Sequence, residues 1–405
     1  MFPRRLPPSA FPLCAPFAGG KTTMDQAQFQ SRPPAAPQQT QTPEENAEKK
    51  IEPELSTVKM SARQKELLAK VLSRSHMGTT DELYSIGPVP GKGTARWQYL
   101  SNPNHWTPER RELHSALIAN ATTQALKFAE VVRENGGGEA AIYALRGNTA
   151  VGKTRMATNA IPALSDALKV SGGGSVNPDV FKAHLRSTEG GKLSSAQVHA
   201  ESCILSDRFE DELRPLKTTN GDPVSILIDK RLAQASEIEH YAAMARETGR
   251  KVVLCDIDAP LEKSLMGVLE RHPGGVDPLP PYHAISDGFS SVRINRSTII
   301  DKFIANPDLG PYQLYGTTPS GEKVKVAGVE HGELTIEDPD MYAELTTFPG
   351  NVAARLSGKL IDEPLIDTLT KDLDFERANS IRSALTKYIG MTWLQAIDAH
   401  SAKSE

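Results

Sequence analysis

The residues from 147 to 154 have the types and the spacing that hold a chain of phosphates. They run Gly147-Asn148-Thr149-Ala150-Val151-Gly152-Lys153-Thr154 and match the pattern G-x-x-x-x-G-K-[S/T], between a predicted strand and a predicted helix. The glycines allow the backbone N–H groups to turn inward on a phosphate. Lys153 supplies a positive charge to the β- and γ-phosphates, and the Thr154 hydroxyl is a ligand for Mg²⁺. The pattern predicts a site for ATP and Mg²⁺.

A carboxylate further along the chain has the position expected of a catalytic base. Phosphoryl transfer to an alcohol needs such a group to orient and deprotonate the acceptor hydroxyl. Asp179 follows Asn177-Pro178, and apolar residues at helical spacing come after it. We predict that Asp179 is this base. The competing interpretation is that Asp179 only caps the following helix.

The ends of two apolar strands favour transfer over hydrolysis. They end in Ile228-Asp229-Lys230 and Leu254-Cys255-Asp256, without the paired Asp-Glu that activates water in motor-type ATPases. The chain also lacks the Asn-Lys-x-Asp tetrapeptide of GTPases. A small-molecule kinase is the large class that remains. Asp229 is either an indirect ligand of the magnesium ion or the polar end of a strand.

Alternating strands and helices must position these residues. Strands are predicted over 140–145, 224–228 and 252–257, and helices over 152–168, 194–213, 235–247 and 261–271. Strands separated by helices favour crossover connections, and therefore a parallel sheet covered by helices on both faces. The predicted fold class is α/β, with a P-loop kinase core over residues 139–310.

The regions flanking this core have different compositions. Residues 1–58 are rich in Pro, Gln and Ala and are predicted to be a disordered leader. Residues 59–138 are predicted to be helical, with helices over 61–74 and after Thr107. Residues 311–405 form an α+β extension, with strands over 312–315, 323–329 and 333–336. The leader has no acidic residue before Asp25 and suits export, but a plain flexible terminus or a true start at Met24 explains it equally well.

Composition excludes several classes of protein. The 405-residue chain has a net charge of −4 and a pI near 6.2, which does not favour binding to nucleic acid. The three cysteines lie far apart and form no zinc or disulfide pattern. The apolar runs are shorter than the roughly 18 residues that span a bilayer. We expect no membrane anchor.

The order of these motifs resembles the zeta-toxin and polynucleotide-kinase-like family. The resemblance rests on the phosphate loop, Asn177-Pro178-Asp179 with Arg186 following, Val198-His199-Ala200-Glu201-Ser202, Leu269-Glu270-Arg271, and Arg293. It implies a P-loop kinase core in which Asp179 is the base and lid arginines clamp the ATP phosphates. Arg271 and Arg293 match these arginines, although their long spacing lets Arg296 compete with Arg293. Glu201, His199 and Arg186 are the implied substrate contacts. From the residues alone, Arg271 could equally offset a helix dipole, and His199 and Glu201 could be ordinary helix residues.

The wider layout resembles the AvrRxo-type effectors of plant-pathogenic bacteria. That resemblance implies injection into a host cell through a type III system, and a kinase acting on the 3′-hydroxyl of the adenosine ribose of NAD. Zeta toxins instead phosphorylate UDP-activated amino sugars. A module that holds a nucleotide without catalysis is a third possibility. Resemblance to toxin and antitoxin pairs further implies a small cognate antitoxin or chaperone.

Overall fold

The computed structural model describes residues 94–404, with gaps at 137, 172–173, 189–192, 194, 196–197, 219, 276 and 348–349, together with isolated positions between 42 and 69. The predicted leader over 1–58 and the predicted helix over 61–74 lie outside the described residues except at those isolated positions. None of the described helices combines the length and the apolarity needed to cross a bilayer.

Helices and strands alternate through the middle of the chain. The strands are β1 (Ala141–Arg146), β2 (Ser175–Val176), β3 (Ile226–Asp229), β4 (Lys251–Ile257), β5 (Tyr312–Thr317), β6 (Lys323–Glu330) and β7 (Glu333–Ile336). The helices before β5 are α1 (Ala95–Ser101), α2 (Pro108–Glu134), α3 (Lys153–Ala160), α4 (Pro162–Ser171), α5 (Pro178–Thr188), α6 (His199–Leu213), α7 (Ala235–Thr248), α8 (Leu261–Leu269), α9 (Tyr282–Ile294) and α10 (Arg296–Ala305). After β7 follow α11 (Pro339–Thr346), α12 (Val352–Ser357), α13 (Glu363–Thr370), α14 (Phe375–Leu385) and α15 (Trp393–Ser401).

The strands form one mixed sheet in the order β2-β3-β1-β4-β5-β6-β7. The first five are parallel, while β6 pairs antiparallel with β5 and with β7. Successive residues of β1 enter different cores: Ile142 packs with α2 and α6, and Tyr143 packs with α3 and α4. Both faces are therefore covered, which confirms the predicted α/β class.

The strands predicted in the C-terminal extension join the core sheet. All three begin where they were predicted, at Tyr312, Lys323 and Glu333. The first of them, β5, pairs with β4, and Tyr312 lies opposite Leu254. The sheet therefore continues across residue 310, where the sequence suggested the end of the core.

The last helices build a second apolar core. Helices α8 and α9 contribute Leu265 and Ile285, and helices α13 and α15 contribute Ile366, Trp393 and Ile397. Ala150 of the phosphate loop packs against the same cluster. This part of the C-terminal extension therefore lies directly behind the candidate site.

Three of the predicted helices are shorter in the structure. The helix predicted over 152–168 is interrupted at Ile161, which has φ −124° and ψ 95°. Proline disfavours helical angles in the residue before it, so Pro162 ends α3 and begins α4. The helix predicted from 194 begins at His199, and the helix predicted to reach 271 ends at Leu269.

Replacing Thr107 by Ala should destabilise the fold by about 1 kcal/mol, the typical cost of losing an N-cap. The Thr107 side chain accepts a hydrogen bond from the Arg110 amide at 3.2 Å, at the start of α2. Urea denaturation measures the change. Thr123→Ala is the matched control, because Thr123 is exposed in the middle of the same helix. An equal loss in both variants would contradict a capping role.

Candidate active site

The loop between β1 and α3 adopts the backbone conformation that phosphate binding requires. Gly147, Ala150 and Gly152 have positive φ angles of 148°, 58° and 80°. A Cβ atom on Gly147 would lie 2.4 Å from the carbonyl oxygen of Ile257, so the end of β4 leaves room only for glycine there. Helix α3 begins at Lys153, and its N-terminal amides add the partial positive charge that attracts an anion.

Lys153 is held inside this loop. Its Nζ donates to the carbonyl oxygens of Gly147 and Asn148 at 3.4 Å each, and lies 3.9 Å from Asp229 Oδ1. Burial lowers the pKa of Lys153, and the nearby Arg231 and Arg271 lower it further, although Asp229 and Asp179 oppose the change. An anion bound here would favour the charged lysine.

The Thr154 hydroxyl and the Asp229 carboxylate lie together, Thr154 at the start of α3 and Asp229 at the end of β3. The Thr154 hydroxyl donates to Asp229 Oδ2 at 3.1 Å. Asp229 ends β3, next to β1 in the sheet. Hydroxyl and carboxylate oxygens are the ligands that Mg²⁺ prefers, and most of its coordination usually comes from water and substrate phosphates. The pair therefore fits a magnesium ion, while the described residues contain no group of three or more His, Cys, Asp or Glu side chains that could hold a metal.

A cavity of about 1300 Å³ opens beside the loop and brings most of the predicted site residues together. Residues 149–154, Asp179, His199, Asp229 and Arg271 all line it. Lys182, Lys230 and Arg231 line it as well and were not predicted as site residues. The phosphate loop, the predicted base and one predicted lid arginine therefore share one space.

Asp179 presents its carboxylate to a buried cation. The Asp179 amide donates to Asn177 Oδ1 at 2.9 Å, so the side chain of Asn177 makes the turn at the start of α5. Asp179 Oδ1 lies 2.7 Å from Nζ of Lys182, a lysine that is only 2% exposed. The side chain of Asn177 therefore accepts an amide hydrogen bond at the start of α5, while Asp179 lines the cavity.

His199 lies on the same side of the cavity and is uncharged at neutral pH. Burial lowers its pKa to about 4, and Lys182 adds to the effect while Asp179 opposes it. A neutral imidazole can donate and accept hydrogen bonds to an acceptor molecule without adding charge.

Two arginines face the loop. Arg271 donates from Nη1 to the Pro278 carbonyl oxygen at 2.6 Å, and burial lowers its pKa. Arg231 donates from Nη2 to the Thr149 hydroxyl at 3.1 Å, and burial lowers its pKa too. The signal for Arg231 in the sequence is its place just after the strand end that carries Asp229.

The other predicted arginines lie in the protein core. Arg296 is fully buried and binds Asp256 through Nε at 3.0 Å and Asp258 through Nη2 at 2.8 Å. Arg293 binds Asp258 at 2.7 Å. Both carboxylates come from the end of β4 and its following residue, and buried carboxylates require such partners. The expectation that Arg293 or Arg296 clamps phosphates is therefore replaced by a role in the core.

Glu201 and Arg186 also differ from the expected substrate contacts. Glu201 is fully buried and accepts from Arg110 at 2.7 and 2.8 Å, and lies 2.5 Å from Nε2 of His114. These contacts tie α6 to α2. Arg186 donates to the carbonyl oxygens of Leu193 at 2.8 Å and Gly274 at 3.2 Å. Glu201 thus connects two helices, and Arg186 binds backbone carbonyl groups.

A second cavity, of about 820 Å³, shares residues 150–152 of the loop with the first. Gly152 and Arg155 form one wall, and the turn between β5 and β6 forms another with Gly321 and Lys323. Burial lowers the pKa of Lys323 to about 8. Arg377 of α14 lines both cavities.

The parallel sheet, the phosphate loop and the carboxylates beside it define a P-loop phosphotransferase of the kinase type. Crystal structures of the AvrRxo1-ORF1:AvrRxo1-ORF2 complex in native form, with sulphate ions and with ATP match 80% of this chain at 52% identity, with TM-scores of 0.74, 0.74 and 0.75. The match covers 98%, 99% and 99% of the compared chains. The chain belongs to the AvrRxo1 family.

Other comparisons give less. A structure of the PezAT chromosomal toxin-antitoxin system of Streptococcus pneumoniae matches 64% of this chain at 14% identity, with a TM-score of 0.35. No protein-family model and no curated protein matches the chain.

Proposed function

We propose that this chain transfers the γ-phosphate of ATP to a sugar hydroxyl, namely the 3′-hydroxyl of the adenosine ribose of NAD. The observation that carries the proposal is that Lys153 and the carboxylate of Asp179 line one cavity, with Thr154 and Asp229 in the same wall. The related AvrRxo1 complex has been crystallised with ATP. NAD as the acceptor follows from the AvrRxo-type resemblance.

The cations of the cavity support binding of a triphosphate. Burial lowers the pKa of Lys153, Arg231 and Arg271, which means that the free protein disfavours their charges. The negative charges of a bound triphosphate would compensate the positive charges of these three side chains. The guanidinium groups can also bind phosphate oxygens through two hydrogen bonds each.

The transfer itself forms one bond and breaks another. The acceptor oxygen attacks the γ-phosphorus as the bond from that phosphorus to the bridging oxygen breaks, and ADP leaves with the bond electrons. The Asp179 carboxylate accepts the hydroxyl proton. Lys153 and Arg271 stabilise the charge that spreads over the transferred group.

The Thr154 hydroxyl and the Asp229 carboxylate would hold Mg²⁺. When bound, the ion neutralises charge on the β- and γ-phosphates. The hydrogen bond between Thr154 and Asp229 holds the two oxygens next to each other.

The two cavities suit the two molecules of the reaction. The second cavity, which shares Gly152 with the first, would take the nucleoside end of ATP. The first cavity, at about 1300 Å³, exceeds the usual 300–1,000 Å³ of small-molecule pockets. It therefore has room for the phosphates of ATP and for a dinucleotide acceptor.

Mass spectrometry tests the acceptor. The protein is incubated with ATP, Mg²⁺ and NAD, and a dinucleotide heavier by one phosphate is expected. A heavier product from a UDP-amino sugar, and none from NAD, would replace NAD with the zeta-toxin type of acceptor. Binding of ATP without any heavier product would leave only a nucleotide-holding module.

We also propose secretion through a type III system and a cognate protein partner. The partner is supported by the AvrRxo1 complex, in which AvrRxo1-ORF1 was crystallised together with AvrRxo1-ORF2. Secretion follows from the AvrRxo-type resemblance. Co-purification of a second protein with the full chain from its source cells tests the partner, and translocation of a reporter fused to residues 1–58 tests the export signal.

A further inference from the structure

Arg271 is carried by an irregular segment between α8 and α9, which we call the arginine loop (residues 270–275 and 277–281). The segment lines the large cavity through Arg271, His272 and Pro278, among others. A loop that carries a charged side chain into a site needs a fixed backbone, because a misplaced guanidinium cannot align with phosphate oxygens. The contacts that fix the backbone of the arginine loop therefore affect the position of Arg271.

Helix α15 binds the arginine loop near its beginning and near its end. His400 Nε2 donates to the carbonyl oxygen of Arg271 at 2.9 Å, and the Ser401 hydroxyl donates to the Leu279 carbonyl oxygen at 2.5 Å. Asp398 accepts from the Tyr282 amide at 2.9 Å, at the start of α9. All three side chains belong to α15.

The tautomer of His400 is fixed by its two partners. A carbonyl oxygen can only accept a hydrogen bond, so Nε2 carries the proton. His400 Nδ1, at 2.7 Å from the Tyr388 hydroxyl, then accepts from that hydroxyl. Burial is the main cause that lowers the pKa of His400. The imidazole is thus a neutral, oriented donor to the backbone of Arg271.

The helix that carries Asp179 holds the other side of the arginine loop. Arg186, on α5, donates to the carbonyl oxygens of Gly274 and Gly275. The loop is therefore bound between α5 and α15. The apolar core shared by α8, α9 and α15 fixes α15 itself in place.

We propose that α15 is a positioning element for the site, in which His400 and Ser401 hold the arginine loop so that Arg271 meets the phosphates of the bound nucleotide. This inference rests on the proposed kinase function and gives the C-terminal extension a part in it. His400 and Ser401 act through the backbone of the loop and do not themselves contact the reacting atoms.

A double-mutant cycle with Arg271 tests the positioning role. The double substitution His400→Ala/Ser401→Ala is expected to lower kcat about 10- to 100-fold, the scale of a misplacement near 1 Å. In an Arg271→Ala background the same double substitution is expected to lower kcat no further, because its effect passes through Arg271. Equal losses in both backgrounds would overturn the proposal.

Thr392→Ala is the matched control for stability. Thr392 caps α15 and accepts from the Gln395 amide, so its loss weakens the helix without altering His400 or Ser401. The melting temperature should fall in both variants, while kcat should fall only in His400→Ala/Ser401→Ala. A matching drop of kcat in Thr392→Ala would also overturn the proposal. His400→Gln, which keeps a donor near Nε2, should recover part of kcat.

Hydrogen exchange separates this inference from the proposed function. In the free protein, His400→Ala/Ser401→Ala should speed exchange at the amides of Arg271, Gly274 and Gly275, with β1 unchanged. Unchanged exchange at these amides would overturn the positioning role whether or not the wild-type protein is a kinase. If the wild-type protein transfers no phosphate, but the double substitution still speeds exchange at these amides, the kinase function is refuted. The role of α15 in holding the arginine loop would then remain.

Discussion

Asp179→Asn should lower kcat by about 10²- to 10⁴-fold, the usual contribution of a general base. Asparagine keeps the shape of the side chain but cannot accept the proton of the acceptor hydroxyl. ATP binding should change little, because Asp179 belongs to α5 and not to the phosphate loop. Single-turnover measurements with ATP, Mg²⁺ and NAD give the rate of the chemical step.

The control for this substitution is Asp211→Asn, an exposed aspartate on α6. It makes the same chemical change away from the cavity and should leave kcat unaltered. Asp179→Asn also removes the ion pair with Lys182, so thermal unfolding of both variants must accompany the kinetics. Wild-type turnover by a folded Asp179→Asn protein would exclude Asp179 as the base.

The loop and Asp179 could be found from the sequence because their signals are local. A phosphate loop is eight consecutive residues, and its glycines, lysine and threonine each meet a requirement of the backbone or the ligand. Asp179 was predicted from its place after Asn177-Pro178 and before apolar residues at helical spacing, whereas the two-residue strand β2 that precedes it was not predicted. The sequence also allowed Asp179 to cap the following helix. In the structure it is the side chain of Asn177 that accepts the amide hydrogen bond at the start of α5.

The partners of the arginines could not be predicted from local sequence patterns. Arg231, Arg293 and Arg296 are equally charged in the sequence, and each could reach a phosphate or a carboxylate. Asp256 and Asp258 are buried at the end of β4, and they bind the arginines that α9 and α10 bring within reach. Such pairings join residues far apart in the chain, so only the folded protein reveals which arginine remains in the cavity.

The C-terminal extension illustrates the same limit. Its strands were predictable from alternation and turns, but the strand they join was not. β5 pairs with β4, and the helices α8, α9 and α10 separate these two strands in the sequence. Nor does any local pattern in α15 indicate that His400 donates to the backbone of Arg271.

Lys153→Met should lower kcat/KM by about 10²- to 10³-fold, the cost of losing one preorganised charge-stabilising donor. Methionine keeps most of the length and apolar surface of the stem but cannot donate to the β- and γ-phosphates. The same change should not destabilise the free protein. Burial and the neighbouring arginines lower the pKa of Lys153, so its positive charge destabilises the folded protein at neutral pH. The free energy of unfolding therefore rises with pH between the lowered pKa of Lys153 and its ordinary value of 10.5.

Thermal unfolding with and without ATP and Mg²⁺ distinguishes these two effects. ATP should raise the melting temperature of the wild-type protein, because a ligand that binds only the folded state stabilises it. Lys153→Met should melt at or above the wild-type temperature without ATP and show a smaller rise with it. Lys127→Met, an exposed site on α2, should keep the full rise. A full rise in Lys153→Met would mean that the ammonium group does not face the phosphates, and the loop would then bind its nucleotide through backbone amides alone.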